Sequence, residues 1–242
     1  NTNLSTEHSE STTVATSSSA TSTDRQQLDA SFKREQLPEV PASCRTNDAT
    51  LLPLLVKGFD AYTQYNAAKK EPSLNETAAL SEFNKTRTAL ESIEELGKNS
   101  AEYWTIRSLY SGPQQGASAL LDKAIEQCDK WAFAISQQGR VFEANQDLNQ
   151  AAVAYAAATE LAPQWLPPHR RRLLVAGKQA DWTTSLEALS ALLTLDPQDS
   201  VAKAFVRRYG PRLEELGDTH PATTLIDQQH PNWRKIGVLS PK

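Results

Sequence analysis

The 242-residue sequence contains no methionine, only two cysteines and no long apolar run. No stretch approaches the about 18 consecutive apolar residues of a membrane-spanning helix, so none is predicted within the chain. The two cysteines, Cys44 and Cys128, form no C-x-x-C, which leaves redox catalysis and zinc ribbons without support. Charge of one sign is also scarce: 25 Lys and Arg face 29 Asp and Glu, a net −4 that argues against a dedicated nucleic-acid binder. P-loop, G-x-G-x-x-G, G-x-S-x-G and H-E-x-x-H motifs are all missing. Neither a cofactor nor a metal is expected. The four histidines, His8, His169, His220 and His230, lack ligand spacing, and His220 and His230 read as turn residues beside prolines. Glu91, Glu94 and Glu95 could imitate hydrolase carboxylates, but a solvated helix face explains them better. The expected protein is not an enzyme.

Serine and threonine dominate the N-terminus, with 14 in the first 24 residues and three acidic residues but no Lys or Arg among them. Such a stretch buries too little apolar surface to offset its ordering entropy. Residues 1–42 are therefore expected to be a disordered tether, stiffened at its end by Pro38 and Pro41. A start at Asn1 predicts a processed end, with a signal peptide, lipid anchor or single span upstream. On that reading the protein is periplasmic or in the cell envelope; the alternative is cytoplasmic, with a trimmed end. Cys44 and Cys128 could bridge in an oxidising compartment, closing a loop worth roughly 4 kcal/mol, or remain two separate thiols. Sequons at Asn3, Asn75 and Asn84 would carry glycans only on a eukaryotic secretory route.

The folded part shows a rhythm of 34 residues. Pro163 and Pro197 end the similar phrases ATELAP and LLTLDP, and each follows a helical run opened by an acidic cap. Asp147 with Gln150 makes a capping-box pattern, and Asp181 precedes the second run. From Ala132, one register places Ile135, Gly139 and Phe142 on a first helix, then Ala151, Tyr155, Ala158 and Pro163 on a second. In these residues the chain resembles the tetratricopeptide repeat, departing at Gln138, where Leu is usual. A weaker repeat, 166–199, keeps Ser185, Leu189, Leu192 and Pro197. A degenerate one, 98–131, keeps Ala117, Leu121 and Ala124 but has Asp129 in place of Pro.

The resemblance implies an all-α, right-handed superhelix of antiparallel helix pairs, a solenoid over 43–216. Its parts are a helical pair at 50–97, the three repeats, and a cap helix at 200–216 stopped by Gly210 and Pro211. Within the first pair, Ser73 and Glu76 suggest a capping box for a helix over 74–96. Residues 217–242, with three prolines, are expected to form an extended tail.

In that family the first helix of each repeat lines a concave groove. The matching positions are Tyr103, Ile106 and Tyr110, then Phe133, Gln137 and Arg140, then Arg170, Leu174 and Lys178, with Arg171 alongside. The implied groove is aromatic at one end and basic at the other, suited to a peptide with an apolar segment and an acidic end. The subtype that clamps acidic chaperone tails needs Lys and Asn at set positions. Here they hold Glu102, Ile106, Gln137 and Pro167, and only Arg171 conforms. The functional expectation is a protein-binding adaptor of a bacterial envelope assembly, such as secretion, pilus or wall-synthesis machinery. Membrane contact would run only through a missing anchor. The rivals are a homo-oligomerising subunit using the C-terminal tail and a cytosolic adaptor.

Overall fold

The computed structural model describes residues 11–71, 73–112, 116–215 and 221–236. Every regular element among them is helical, so the chain is all-α. It divides into two compact units, Asn1–Lys130 and Trp131–Lys242.

The C-terminal unit opens with α7 (Ala132–Ala144), α8 (Leu148–Leu161), α9 (Leu166–Gln179), α10 (Trp182–Leu195) and α11 (Ser200–Glu214). Successive helices pack in pairs, α7 on α8, α8 on α9 and α9 on α10, and α11 lies against α9 and α10. The 34-residue rhythm has a backbone basis. Gln146 and Ala180, 34 apart, both take left-handed conformations, with φ of 64° and 55°. Each is followed by an aspartate that caps the next helix. Asp147 accepts the Gln150 N–H and Asp181 the Thr184 N–H, both at 3.1 Å. The expected caps are thus in place, one at the head of α8 and one at the head of α10.

Tight packing explains the glycine of the pattern. A Cβ on Gly139 would lie 2.8 Å from the Tyr155 ring, inside any real contact distance, so α7 meets α8 only because that position is bare. Tyr155 is fully buried and joins Ala151 and Val175 in one cluster. Gly177 repeats the device, 2.6 Å from the Phe205 ring. The larger core gathers Leu173, Leu189, Leu192, Phe205 and Val206.

The C-terminal end departs from expectation. α11 does not stop at Gly210 but runs through Pro211 to Glu214. Pro211 sits in the last turns, where it forfeits one backbone bond, and Leu213 beyond it is fully buried. The predicted extended tail instead holds α12 (Pro221–Gln229) and a 3-10 turn, Trp233–Lys235. Its prolines frame the helix: Pro221 opens it and Pro231 follows its end. Ile226 and Trp233 are buried in the core built by α10 and α11. Trp233 donates its indole N–H to Asp227 at 2.6 Å.

The N-terminal unit holds α1 (Ser11–Arg34), α2 (Leu51–Lys70), α3 (Glu76–Ser92), α4 (Glu94–Gly97), α5 (Ala101–Ser108) and α6 (Ala117–Gln127). α2 packs on α1 and α3, and α5 packs on α2, α3 and α6. Of the expected tether, residues 1–10 lie outside the described residues, and the rest is not a tether. α1 is a helix whose Leu28 and Phe32, one turn apart, are buried. Phe32 meets the Phe59 ring of α2 edge-on at 4.8 Å. Ser31 and Arg34 both donate to Asp60 of α2. Two apolar residues at helical spacing outweigh the Ser/Thr-rich composition around them. The α3 start is also shifted. Asn75, not Ser73, is the cap, accepting the Ala78 N–H at 2.9 Å, while Ser73 donates to Glu71. The single helix expected over 74–96 breaks at Ile93. Cys44 and Cys128 are joined in a disulfide, with Cα atoms 5.5 Å apart.

Two substitutions probe this architecture by chemical denaturation of the full chain. Gly139→Ala is expected to destabilise it by about 1–3 kcal/mol, the overpacking against Tyr155 exceeding the helix-propensity gain. Ala180→Gly is expected to stabilise it by about 1 kcal/mol, because a left-handed residue sheds its Cβ strain.

Candidate interaction face

The groove positions separate once side chains are placed. In the N-terminal unit Tyr103 and Ile106 are fully buried and Tyr110 nearly so. Tyr103 donates its hydroxyl to the Leu90 carbonyl at 2.8 Å, and Tyr110 donates to the Gly58 carbonyl. Ile106 lies where a Cβ on Gly58 would meet it at 3.1 Å. These aromatic and branched side chains fill the space between helices, so the expected apolar end of a groove is core. Phe133 is core as well, edge-on to Trp131 at 5.6 Å and Trp165 at 6.2 Å.

Two positions on α9 are structural too. Arg170 donates from Nε to Asp199 at 2.7 Å. Asp199 is itself 1 % exposed and caps α11 through the N–H groups of Val201 and Ala202. Arg170 therefore ties α9 to the head of α11. Leu174 is partly buried against the core. What remains at the surface is Gln137 and Arg140 of α7 with Arg171 and Lys178 of α9.

A residue that the sequence reading missed organises them. Glu143, in the last turn of α7, accepts from Lys178 at 2.7 Å, from the Tyr155 hydroxyl at 3.0 Å and from Arg171 at 3.5 Å. Its side chain is 11 % exposed, while Arg171 and Lys178 are 44 % and 48 % exposed. Burial alone would raise the Glu143 carboxyl. The hydrogen bonds from Lys178 and Tyr155, with the charge of Arg171, outweigh it and hold the group below the usual carboxylate range. Burial, then the charge of Glu143, pushes the Tyr155 phenol up, and Arg140 and Arg171 act against that rise. Arg140 donates to Gln137 at 3.1 Å. Two cations of α9 thus meet one carboxylate of α7, and Arg140 stands on the same helix as that carboxylate, bonded to Gln137. The one hint in the sequence was spacing: Lys178 falls 35 residues after Glu143, one more than the repeat's length.

The N-terminal unit holds a second carboxylate, Glu102, fully buried. It accepts from Arg25 of α1 at 2.6 Å and from the Thr46 N–H at 2.8 Å. Burial raises its carboxyl, and those partners oppose the rise. Sealed by both, it has the surroundings of a structural ion pair rather than of an acid-base catalyst. Among the described residues no three His, Cys, Asp or Glu side chains gather as a metal site. His220 lies outside the described residues.

No family model matches the chain, and no curated protein matches it.

His169, 6 % exposed at the start of α9, predicts a pH dependence. Its Nε2–H donates to the Pro163 carbonyl at 2.9 Å, and its Nδ1 is buried without a hydrogen-bond partner. Burial holds its pKa below the ordinary imidazole value, against the Pro163 bond and with help from the charge of Arg172. The unfolded chain therefore takes up this proton first, near pH 6.5. The stability His169 confers is complete above that pH and is lost as pH falls towards the folded-state pKa. Urea midpoints from pH 7.5 to 5 should show this slope, and it should flatten in His169→Gln.

Proposed function

We propose that this chain is a non-enzymatic interaction scaffold whose C-terminal unit holds an acidic segment of a partner protein against α7 and α9. The observation that carries the proposal is the excess of cation there. Arg171 and Lys178 share one largely buried carboxylate, Glu143, and keep about half of their side chains in solvent, while Arg140, exposed on α7, is bonded to the neutral Gln137. A half-solvated guanidinium anchored at its inner edge is pre-positioned for a second carboxylate, with less ordering entropy left to lose.

The architecture proposed for the solenoid is a right-handed superhelix of tetratricopeptide type. Its support is the 34-residue recurrence of a left-handed residue followed by an aspartate cap, at Gln146–Asp147 and Ala180–Asp181. The Gly139–Tyr155 contact lies on the positions that the resemblance assigns to a small and a large residue. The proposed setting is a bacterial cell envelope outside the cytoplasm, where the scaffold would steady components of an assembly. The paired cysteines favour an oxidising compartment. No helix among the described residues is long and apolar enough to cross a membrane.

The test is binding of fluorescent peptides that differ only in acidic content, read by anisotropy. Wild-type protein should prefer the acidic members, and added salt should weaken that preference. The triple variant R140E/R171E/K178E should bind them at least tenfold more weakly with its helical content intact. Equal binding by wild type and triple variant removes this face from the functional account.

A further inference from the structure

We propose that the Cys44–Cys128 disulfide is a thiol-sensitive latch, which straps residues 37–50 over the buried Glu102 carboxylate and releases that strap on reduction while α2 to α6 stay folded.

The strap joins α1 to α2, and its one regular element is the 3-10 turn Ala42–Cys44. Among the described residues its non-covalent ties to the rest of the unit are few. Val40 is buried, the Thr46 N–H donates to Glu102 at 2.8 Å, and Arg45 pairs with Asp29 at 3.8 Å, both side chains partly solvated. At the two ends of the strap the Leu37 N–H donates to the Phe32 carbonyl, and Asp48 accepts from the Leu51 and Leu52 N–H groups. A further bond, from Arg45 Nε to the Val40 carbonyl, is internal to the strap and is not lost when it lifts. The helices beneath are held differently. Leu52, Leu55, Phe59, Leu90 and Leu121 are all essentially inaccessible to solvent. Segments with few buried contacts open at far lower free energy than the core around them. The strap is such a segment, with a covalent bond fastened at its middle.

The two sulfurs are unequal in access. Cys44 is half-buried and follows two exposed residues, Ala42 and Ser43, whereas Cys128 is 4 % exposed. The thiolate of a dithiol reductant therefore attacks the Cys44 sulfur. A bond forms between the reductant and Cys44, the Cys44–Cys128 bond breaks, and Cys128 leaves as a thiolate that takes up a proton. The second thiol of the reductant then displaces Cys44 as a thiol and closes the reductant's own disulfide, so two electrons and two protons pass to the protein. When the strap lifts, Glu102 loses the Thr46 N–H, keeps Arg25, and meets water. This device lies wholly in the N-terminal unit and stands independently of the binding face on α7 and α9.

The experiment is hydrogen exchange of the full chain by mass spectrometry, oxidised and after dithiothreitol, beside the variant C44S/C128S without reductant. The latch predicts at least tenfold faster exchange over 37–50 in the reduced protein and in the variant, with α2 and α5 changed less than twofold. Unchanged strap exchange overturns the proposal. So does a joint acceleration of strap and helices, which would make the bond a staple of the whole unit. Brief treatment with a monothiol should yield an adduct on Cys44, and an adduct on Cys128 instead would overturn the order of attack.

Discussion

Helix against helix, with a bare backbone facing an aromatic ring, is the constraint on which the C-terminal unit depends. At Gly139 the absence of a single carbon lets Tyr155 lie flat between α7 and α8, and the same arrangement at Gly177 admits Phe205. Interiors are packed too densely for such a ring to retreat by more than a fraction of an ångström. The separation of α7 and α8 is thereby fixed. That fixed separation is what brings the Tyr155 hydroxyl to Glu143, and Glu143 in turn gathers Lys178 and Arg171 from α9. A surface cluster of charge therefore inherits its geometry from a contact deep in the core.

Buried carboxylates perform one task repeatedly here. Asp199 takes Arg170, Glu102 takes Arg25, and Glu143 takes Lys178 and Arg171, each cation arriving from another helix. Such pairs contribute little net stability, because desolvation offsets most of the attraction. A carboxylate left without its cation is costly, however, and only one alignment of the helices supplies the right partner. The pairs act mainly on register. They hold neighbouring helices at one axial position, where leucine contacts alone would tolerate sliding.

Much of this was legible in the sequence, for identifiable reasons. The 34-residue rhythm, the caps at Asp147 and Asp181 and the placing of Gly139 and Tyr155 at repeat positions are properties of short segments, and short segments carry them openly; that these two meet each other is shown by the packing alone. Features set by distant partners were hidden. α1 was obscured because Ser and Thr outnumber Leu28 and Phe32, and only the presence of Phe59 across the interface makes those two decisive. The C-terminal prolines suggested an extended tail, although Pro221 and Pro231 bound a helix whose worth depends on burying Ile226 and Trp233 elsewhere. For the interaction face, the basic residues were visible but their division was not. Arg170 and Arg171 are adjacent in sequence, yet one turns to a helix cap and the other to Glu143. Tyr103, Ile106, Tyr110 and Phe133 failed as surface residues because large side chains on a first helix serve the gap between hairpins before they serve a ligand.

The bond between Cys44 and Cys128 spans 84 positions and so turns α2, α3, α4, α5 and α6 into a closed ring of chain. A ring opened at one point remains in one piece. A single proteolytic nick inside it would leave every fragment covalently attached, the broken ends free to re-seat in the same packed helices. Mass on a non-reducing gel would conceal such damage, and the N-terminal unit could survive a cut that would divide an open chain in two.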